Sequence, residues 1–449
     1  MDVVRLGERY TTSYVPDELV EGYSSCIWTE RFAAPGDFEI KTPHIDVMRA
    51  LLPEDTLISH TDTLEVMMVE NHVIEVNDDG VPELVITGRD LKTMLEHRYI
   101  ESKYQKKRKM RRNYTAVDGL GVLIWQAFCN TTGKDVTRGD PNPWDDTDAS
   151  DTDYSWNTLD PLPNVVITDS VPVDGSAVAK NWWLSEGLLG PQFWVFLNKY
   201  KLGLRTLRPQ QGNPNHQVIT VDHTPLADRG KVSKVSTDIK TKMAFDLYKG
   251  VNRSEDQVTN PVVSFSTLQG DLGSPQYLWS KKDYKTIIEI ISSVGIGDQA
   301  RAGEANLSGW KRKVDQLDAG APDIPDEPER PKDPRKNATN AEINAWKDDI
   351  DAWKIKHGKW LTRKNNIVAE FTADVKDDAS NLLDLRRPVR VMTGDISTLT
   401  PFQYKVHYDL GDKVTTHGDY GMVENMIVSE YVRTDDQDGD RGYPGLIAP

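Results

Sequence analysis

The sequence predicts a β-rich α+β protein, and three features of its 449 residues support this fold class. The first hundred residues contain two pairs of apolar segments joined by tight turns, which is typical of β-hairpins. Short segments at 204–208, 243–248 and 262–266 predict further strands. One long segment, 340–367, spaces its apolar residues by three and four, which indicates a helix.

Length and composition favour an ordered protein of several domains. A chain of 449 residues gives a soft expectation of roughly three domains. Its 38% hydrophobic and 28% charged residues are near the averages of globular proteins. The net charge of −16 repels phosphate groups, which argues against a general nucleic-acid binder and against a protein that coats anionic membranes.

The cysteines and the apolar runs indicate in which cellular compartment the protein is made. Cys26 and Cys129 cannot form a disulfide framework, and their spacing fits no zinc motif. The N-terminal segment lacks the apolar core of a signal peptide. The longest apolar run, 121–128, is less than half of a membrane span. We therefore expect a protein that is made in the cytoplasm and stays soluble.

The first predicted hairpin joins segments 26–32 and 38–41. Pro35, Gly36 and Asp37 lie between them, and proline followed by glycine favours a tight turn.

The second predicted hairpin joins 64–76 and 81–87 through an Asp-Gly turn. Gly88 is expected to end its second strand. Asp90 is then expected to N-cap a short helix whose apolar face consists of Leu91, Met94 and Leu95.

The middle of the chain changes in character. Residues 131–163 predict a long, exposed acidic loop, and 191–200 predict a helix with Pro191 in its first turn and Gly203 just past its end. Residues 101–113 form a basic run that fits a solvated face, an ion-pairing surface for an acidic neighbouring subunit, or a nucleic-acid contact. Its basic residues are Lys103, Lys106, Lys107, Arg108, Lys109, Arg111 and Arg112.

Residues 321–339 contain five prolines and predict a stiff, exposed connector. Residues 339–342 then match a capping box. The helix that follows has a narrow apolar seam, made of Ile343, Trp346, Ile350, Trp353, Trp360 and Ile367.

Residues 310–317 fit two structures. Leu307, Trp310, Val314 and Leu317 keep helical spacing, so 305–366 is compatible with a helical hairpin, whereas the alternation in 311–317 permits a strand. Towards the end of the chain, 404–416 and 421–432 predict strands.

A search for catalytic motifs found none. The sequence has no phosphate-binding loop of the Walker type, no G-x-S-x-G and no H-E-x-x-H, and its nine histidines are scattered. Two glycines in 295–303 favour a turn over a dinucleotide site. We therefore predict no catalytic residue and no cofactor.

Two acidic stretches are each compatible with calcium, although solvated loops are the plainer interpretation, since neither has the closing glutamate of an EF-hand. No metal site is therefore predicted. Their acidic residues are Asp145, Asp146, Asp148, Asp151 and Asp153 in one stretch, and Asp436, Asp438 and Asp440 in the other.

Tryptophan is unusually frequent, with twelve residues against nine phenylalanines. Tryptophan clusters fit core or interface packing, and they also fit stacking on carbohydrate. Five fall in one region of about fifty residues: Trp144, Trp156, Trp182, Trp183 and Trp194.

Five segments in order resemble the baseplate-hub or tail-tip proteins of siphophages that infect actinobacteria, usually described as minor tail proteins and similar to the hub proteins of contractile phages. They are 28–43, 84–100, 245–257, 262–286 and 408–416. The C-terminal pattern of this family is also matched, at Tyr408, Leu410, Gly411, Asp412, Pro444 and Gly445.

The resemblance implies two tail-tube-like β-barrel domains with inserted α/β subdomains and a helical elaboration. The expected divisions are a first barrel at 1–100, an inserted subdomain at 101–203, strands of the second barrel at 204–300, the connector and helix at 301–366, and closing strands at 367–449. Because the family often has a strand at 310–317, the strand is favoured there by a small margin.

The resemblance also implies a function in the virion tail tip, after assembly in the host cytoplasm. The expected protein is a homotrimer that closes the tail tube and contacts the distal tail protein, the tape measure protein, and a central fibre or other minor tail proteins. DNA would pass without specific binding, along an acidic lumen, and no membrane partner is expected. The candidate interface residues are Lys106, Lys107, Arg108, Lys109, Arg111, Arg112, Trp182, Trp183, Trp346 and Trp353.

Two other functions remain as alternatives. Clustered tryptophans fit a tail module that binds host cell-wall polysaccharide, and a hydrolase whose active site is assembled from distant residues would leave no motif.

Overall fold

The computed structural model describes residues 2–9, 13–77, 80–100, 108–109, 115–128, 165–170, 183–184, 187–208, 217–222, 231–236, 243–292, 301–303, 307–322, 324, 326–397, 400–418, 421–436 and 439–448. These residues divide into two compact units. Unit 1 contains the described parts of 1–139, 152–278 and 390–449, and unit 2 contains those of 279–389.

Among the described residues, four α-helices and two short 3-10 helices are present. The α-helices are α1 (Ile45–Leu51), α2 (Ala116–Phe128), α3 (Leu189–Tyr200) and α4 (Asn340–Leu385), and the 3-10 helices are Leu91–Leu95 and Gly309–Lys311.

Strands make up most of the remaining regular structure, which confirms the prediction of a β-rich protein. In chain order they are β1 (Val3–Arg9), β2 (Ser13–Leu19), β3 (Ser25–Arg31), β4 (Asp37–Thr42), β5 (Leu57–His60), β6 (Val66–Val76), β7 (Pro82–Asp90), β8 (Tyr99–Ile100), β9 (Arg108–Lys109), β10 (Val165–Asp169), β11 (Trp183–Leu184), β12 (Gly187–Leu188), β13 (Gly203–Leu207), β14 (Gln217–Asp222), β15 (Lys231–Ser236), β16 (Met243–Tyr248), β17 (Ser264–Ser266), β18 (Leu272–Ser280), β19 (Ile287–Ser292), β20 (Arg301–Gly303), β21 (Val314–Gly320), β22 (Val389–Ile396), β23 (Lys413–His417), β24 (Val423–Asp436) and β25 (Gly439–Ile447).

A large sheet brings together strands from both ends of the chain. Its order is β18-β22-β25-β24-β3-β4-β7-β6-β5-β1-β2, and β23 adds to β24 and carries β17. The strand β24 changes partner along its length: its first residues pair with β23, and its later residues pair with β3. A register shift between Val428 and Glu430 marks the change. Such a bulge bends a strand and increases its twist, so one strand runs through two differently oriented groups of strands.

Each of these two groups has its own apolar core. The first core lies among β3–β7 and α1 and includes Trp28, Phe38, Ile40, Met48, Ile58, Met67 and Ile86. The second lies among β17, β18 and β22–β25 and includes Phe265, Leu272, Tyr404, Tyr408, Leu410, Val428 and Leu446.

A third core of unit 1 joins helices to a five-stranded sheet of order β13-β16-β10-β14-β15. Helices α2 and α3 pack on this sheet through Leu123, Phe128 and Phe193, with Phe245 of β16 stacked 5.0 Å from Phe128. Helix α2 contains the apolar run 121–128, for which no helix or strand was predicted.

Unit 2 combines a three-stranded sheet, β20-β19-β21, with the last turns of α4. Ile288 and Ile290 pack against Phe371 and Val375 of the helix. The earlier turns of α4 contact the proline-rich connector. There, the Trp353 indole N–H donates to the Pro328 carbonyl at 2.9 Å. The connector therefore runs along the helix.

The predicted capping box of α4 is confirmed. The Thr339 N–H donates to Glu342 Oε2 at 2.6 Å, and the Glu342 N–H donates to Thr339 Oγ1 at 3.3 Å. These two bonds satisfy donors that the first turn of a helix otherwise leaves free.

Removing this cap should loosen the start of α4. We expect Thr339→Ala to lower helix stability by about 1 kcal/mol, since it leaves the Glu342 N–H without its side-chain acceptor. Amide hydrogen exchange of residues 340–346 measures this. Thr362→Ala is the control, because Thr362 bonds only to the Gly358 carbonyl within the helix. Equal exchange in both variants would contradict the role of the cap.

The structure confirms both predicted hairpins and the strand favoured for 310–317, now β21 from residue 314. The helical hairpin is therefore wrong, and α4 continues to Leu385, well beyond residue 366. The strand expected for 404–416 begins only at Lys413, because 404–412 forms turns.

Two predictions about glycines are wrong. Gly88 does not end β7, which continues to Asp90, and its missing side chain makes room for the Met68 carbonyl. Gly203 does not cap α3. Lys201 adopts the left-handed conformation at that helix end, with φ 51, and Gly203 begins β13.

Candidate functional site

Six charged side chains meet in the interior of unit 1 and form what we call the junction network. They come from parts of the chain that are far apart in sequence: β3, the bridge residue before β6, β13, β16 and the turns after β22. The members are Glu30, Glu65, Arg205, Asp246, Lys405 and Asp409.

Lys405 is the first centre of the junction network. Its Nζ lies 3.0 Å from Asp409 Oδ1, 3.5 Å from Glu65 Oε1 and 3.6 Å from Glu30 Oε2. The backbone of Lys405 has a left-handed φ of 64, and its N–H donates to the Tyr408 carbonyl at 2.8 Å. This tight turn brings Lys405 and Asp409 together, and the nearby carboxylates raise the pKa of Lys405 despite its burial.

Arg205 is the second centre. Its Nε lies 3.0 Å from Asp246 Oδ2, and its Nη1 lies 2.9 Å from Asp409 Oδ2. The guanidinium also stacks over the Tyr248 ring at 4.4 Å. Because a planar guanidinium binds two carboxylates in fixed directions, Arg205 ties β13 to β16 and to the 404–412 turns.

Glu30 is held as an anion. Burial raises its pKa, but Lys405 and the Tyr404 hydroxyl oppose this, and the pKa ends below its ordinary value. The Tyr404 hydroxyl donates to Oε2 at 2.8 Å and the Trp28 indole donates to Oε1 at 3.2 Å.

Glu65 is the carboxyl that keeps its proton. Burial, together with the neighbouring Glu30 charge, raises the pKa of Glu65 to about 8. Four carboxyl groups share two cations in the junction network, so a proton on one of them reduces the excess of negative charge. Within the described residues, the second oxygen of Glu65 has no hydrogen-bond partner.

This proton predicts a pH dependence of stability. The folded protein holds a proton on Glu65 between its ordinary pKa and about 8, whereas the unfolded chain does not, so stability is lost as pH rises. His60, whose burial beside Arg433 lowers its pKa to about 4, has the opposite effect, but only below about pH 6.5. Between pH 6.5 and 8 the free energy of unfolding should therefore fall by about 1.4 kcal/mol per pH unit.

Glu65→Gln should flatten that slope, because glutamine does not titrate. Urea unfolding at several pH values measures the slope, and the exposed Glu75→Gln is the matched control, which should keep it. A variant E65Q with the original slope would contradict a protonated Glu65.

Segments 245–257 and 408–416 are hydrogen-bonded to each other beside the junction network. Asp412 Oδ1 accepts the Val251 N–H at 2.7 Å, and Asp412 Oδ2 accepts the Arg253 Nε–H at 2.7 Å. Gly250 and Gly411 make this approach feasible, since a side-chain carbon on Gly250 would collide with the Gly411 backbone. Segments 245–257 and 408–416, two of those that resemble the family, therefore pack on each other.

A buried ion pair supports the first hairpin. Lys92 Nζ lies 2.9 Å from Asp90 Oδ2 and donates to the Arg31 carbonyl at 3.0 Å, and both side chains are fully buried. Asp90 also accepts the Gly36 N–H at 2.5 Å and the Lys92 N–H at 3.0 Å. Asp90 thus caps the 3-10 helix, as predicted, and also holds the turn between β3 and β4.

This arrangement suits a structural joint. The carboxyl groups of Glu30, Glu65 and Asp246 are at most 1% exposed, so a substrate has no access to them. Each cation binds carboxylates from at least two separate segments, which fixes the strand groups of unit 1 against one another.

A family model described as Siphovirus ReqiPepy6 Gp37-like protein matches residues 11–443. The chain belongs to this family. The predicted resemblance to a siphophage protein family is thereby confirmed.

Solved structures of tail proteins are similar to this chain at low identity. The tail protein from Neisseria meningitidis MC58 is 9% identical with a TM-score of 0.47, covering 99% of this chain and 96% of that one. The 43 kDa tail protein of prophage MuSo2 from Shewanella oneidensis is 10% identical with a TM-score of 0.47, covering 100% and 99%. The comparison with curated proteins gave no match.

The predicted interface residues of this family member fall into three groups. Lys106, Lys107, Arg111, Arg112 and Trp182 lie outside the described residues. Arg108 and Lys109 form β9, which pairs with β11, so that Lys109 lies opposite Trp183. Trp346 and Trp353 lie half-buried on α4, where Trp353 contacts the connector. Their part in an interface stays a prediction.

Of the acidic stretches, 145–153 and Asp438 lie outside the described residues. Asp436 lies 2.7 Å from Arg441, an ion pair within the β24–β25 hairpin. Across the described ranges, no group of three histidine, cysteine or carboxylate ligands is placed to hold a metal ion. In the same part of the chain, no helix has the length and apolar character needed to span a bilayer.

The junction network was not predicted. A signal was present at one member, because Asp246 interrupts the otherwise apolar segment 243–248, and a charge inside a buried strand needs a partner. The partners themselves follow no sequence spacing.

Proposed function

We propose that this chain is the tail-tip, or baseplate-hub, protein of its siphophage, acting as a homotrimer that closes the tail tube. The observation that carries the proposal is the family match over residues 11–443, combined with two strand groups that share β24. Each subunit would supply two tail-tube-like β-barrel domains, so that three subunits present six barrels to a sixfold tube.

The domain divisions are part of this proposal. Residues 1–100 would form the first barrel domain, and 204–300 with 367–449 would supply the second. Residues 101–203 and 301–366 would be insertions. Support comes from the separate cores of the two strand groups and from the bulge at which β24 passes between them.

The mechanism would be assembly and opening rather than bond chemistry, with no enzymatic activity and no cofactor. The junction network would hold the two barrels of a subunit at a fixed angle, which a ring of six requires. Expected neighbours are the distal tail protein, the tape measure protein and a central fibre or other minor tail proteins.

The negative charge of the trimer would suit the passage of DNA through its lumen. Three chains of −16 each bring −48 to the ring, and acidic side chains along the lumen would repel the DNA backbone. The basic run 106–112 would face an acidic neighbour or the outer surface.

The oligomeric state tests the proposal most directly. Light scattering after size exclusion should give three times the 50.7 kDa of one chain, alone or with the distal tail protein added. A monomer or dimer under both conditions would contradict the trimer. A reconstruction of the assembled tail tip, in which a neutral or basic lumen would overturn the charge proposal, is the second measurement.

A further inference from the structure

A basic and aromatic surface lies at one end of the three-stranded sheet in unit 2. It consists of residues 281–286, which lead into β19, and 310–313, which lead into β21, and we call it the Trp310 surface. Its cations are Lys281, Lys282, Lys285, Lys311, Arg312 and Lys313, against a single acid, Asp283.

Backbone contacts hold the two segments side by side. The Thr286 N–H donates to the Lys313 carbonyl at 2.8 Å, and Ile287 lies opposite Val314 in the parallel pair β19–β21. The Lys313 ammonium lies 5.6 Å from the centre of the Tyr284 ring. Cations and rings from both segments therefore share one surface.

Most of the positive charge on this surface is not neutralised. Arg312 lies 3.5 Å from Glu289, but Lys281, Lys282, Lys311 and Lys313 form no ion pair with any described residue. In a chain with a net charge of −16, such a concentration of cations indicates an anionic ligand.

Two indoles beside these cations are open to solvent. Trp310 is 99% exposed, and Trp279, two residues before Lys281, is 62% exposed. Tryptophan is normally among the more buried residues, because leaving its large apolar surface in water is unfavourable. The ring of Trp310 has lysine and arginine as sequence neighbours rather than an apolar rim.

We propose that the Trp310 surface binds an anionic polysaccharide, with the Trp310 ring stacking on a sugar and Lys311 and Lys313 pairing with its phosphate or carboxylate groups. An aromatic face packs against the apolar face of a sugar ring, and adjacent ammonium groups select the charged residues of the polymer. A protein partner would favour an indole surrounded by other apolar groups, as at the centre of most interfaces. This binding goes beyond the tail-tip role and does not rest on it.

The test measures binding of the full chain to immobilised polymers at physiological salt. The probes are a phosphomannan, a polygalacturonate, neutral mannan, poly-glutamate and an oligothymidylate. The protein should bind the phosphomannan, the polygalacturonate or both, and neutral mannan much more weakly. Trp310→Ala should weaken binding about tenfold, and Lys311→Glu with Lys313→Glu should weaken it further and reduce its salt dependence.

Lys336→Glu is the matched control, because Lys336 is an exposed lysine of the connector in the same unit and should be neutral to binding. Since Trp310 is almost fully exposed, its removal should leave thermal unfolding and oligomeric state unchanged. The proposal is overturned if neither charged polysaccharide binds, or if W310A binds as the original chain does. It is equally overturned if poly-glutamate or the oligothymidylate binds at least as tightly, since the surface would then serve a protein or a nucleic acid.

Discussion

Replacing Asp90 with alanine is expected to lower the free energy of unfolding by about 3–5 kcal/mol. The variant leaves the Lys92 ammonium fully buried without its counter-ion. It also removes the acceptor of the Gly36 and Lys92 backbone N–H groups, so the 3-10 helix and the β3–β4 turn lose a shared support. Urea unfolding followed by tryptophan fluorescence measures the change, and Trp28 in the neighbouring core provides a local signal.

Two further variants separate the ion pair from the other contacts of Asp90. Lys92→Met keeps both backbone hydrogen bonds to Asp90 and should cost less than D90A. Asp351→Ala, which breaks the exposed pair of Asp351 with Lys354 on α4, should cost under about 0.5 kcal/mol. A D90A protein as stable as D351A would show that the buried pair contributes nothing to stability.

Replacing Gly411 with alanine should be the second severe change. Its φ of 85 lies in the left-handed region, and an added side-chain carbon would collide with the ring of Phe32. The unfavourable backbone conformation costs about 1 kcal/mol and overpacking a further 1–3 kcal/mol. Thermal unfolding should therefore shift to markedly lower temperature.

Gly421 provides the matched control for Gly411. It has a similar φ of 73, but the position of its missing side chain is open space. Gly421→Ala should therefore show only the backbone contribution of about 1 kcal/mol. If both alanine variants lose the same stability, the close contact between 408–412 and Phe32 is unimportant.

Local sequence signals predicted the elements that depend on neighbouring residues. The two hairpins, the Asp90 cap and the 339–342 capping box all appear in the structure, because each depends on turn or capping residues close in sequence. The predictions were wrong where packing against segments distant in sequence determines the local structure. Gly88 continues a strand since β6 and β4 flank it, and 404–412 forms turns because its side chains reach into the junction network.

Strand β25 is another element whose structure depends on packing against a partner rather than on its own residues. Pro444 and Gly445 are residues that strands disfavour, yet both lie in a strand that pairs with β24. A long partner strand with a bulge accommodates residues that have little strand propensity of their own.

The β-rich class, the family resemblance, the hairpins and the capped helix could be predicted from the residues alone, since periodicity, turn residues and ordered motifs are local properties of a chain. Which charges meet depends on the tertiary structure. Lys405 and Glu65 are 340 residues apart, and Tyr404 and Glu30 are 374 apart. Whether a carboxyl group is paired, protonated or exposed depends on burial and on charges within a few ångströms, and those distances are set by the packing of strands from opposite ends of the chain.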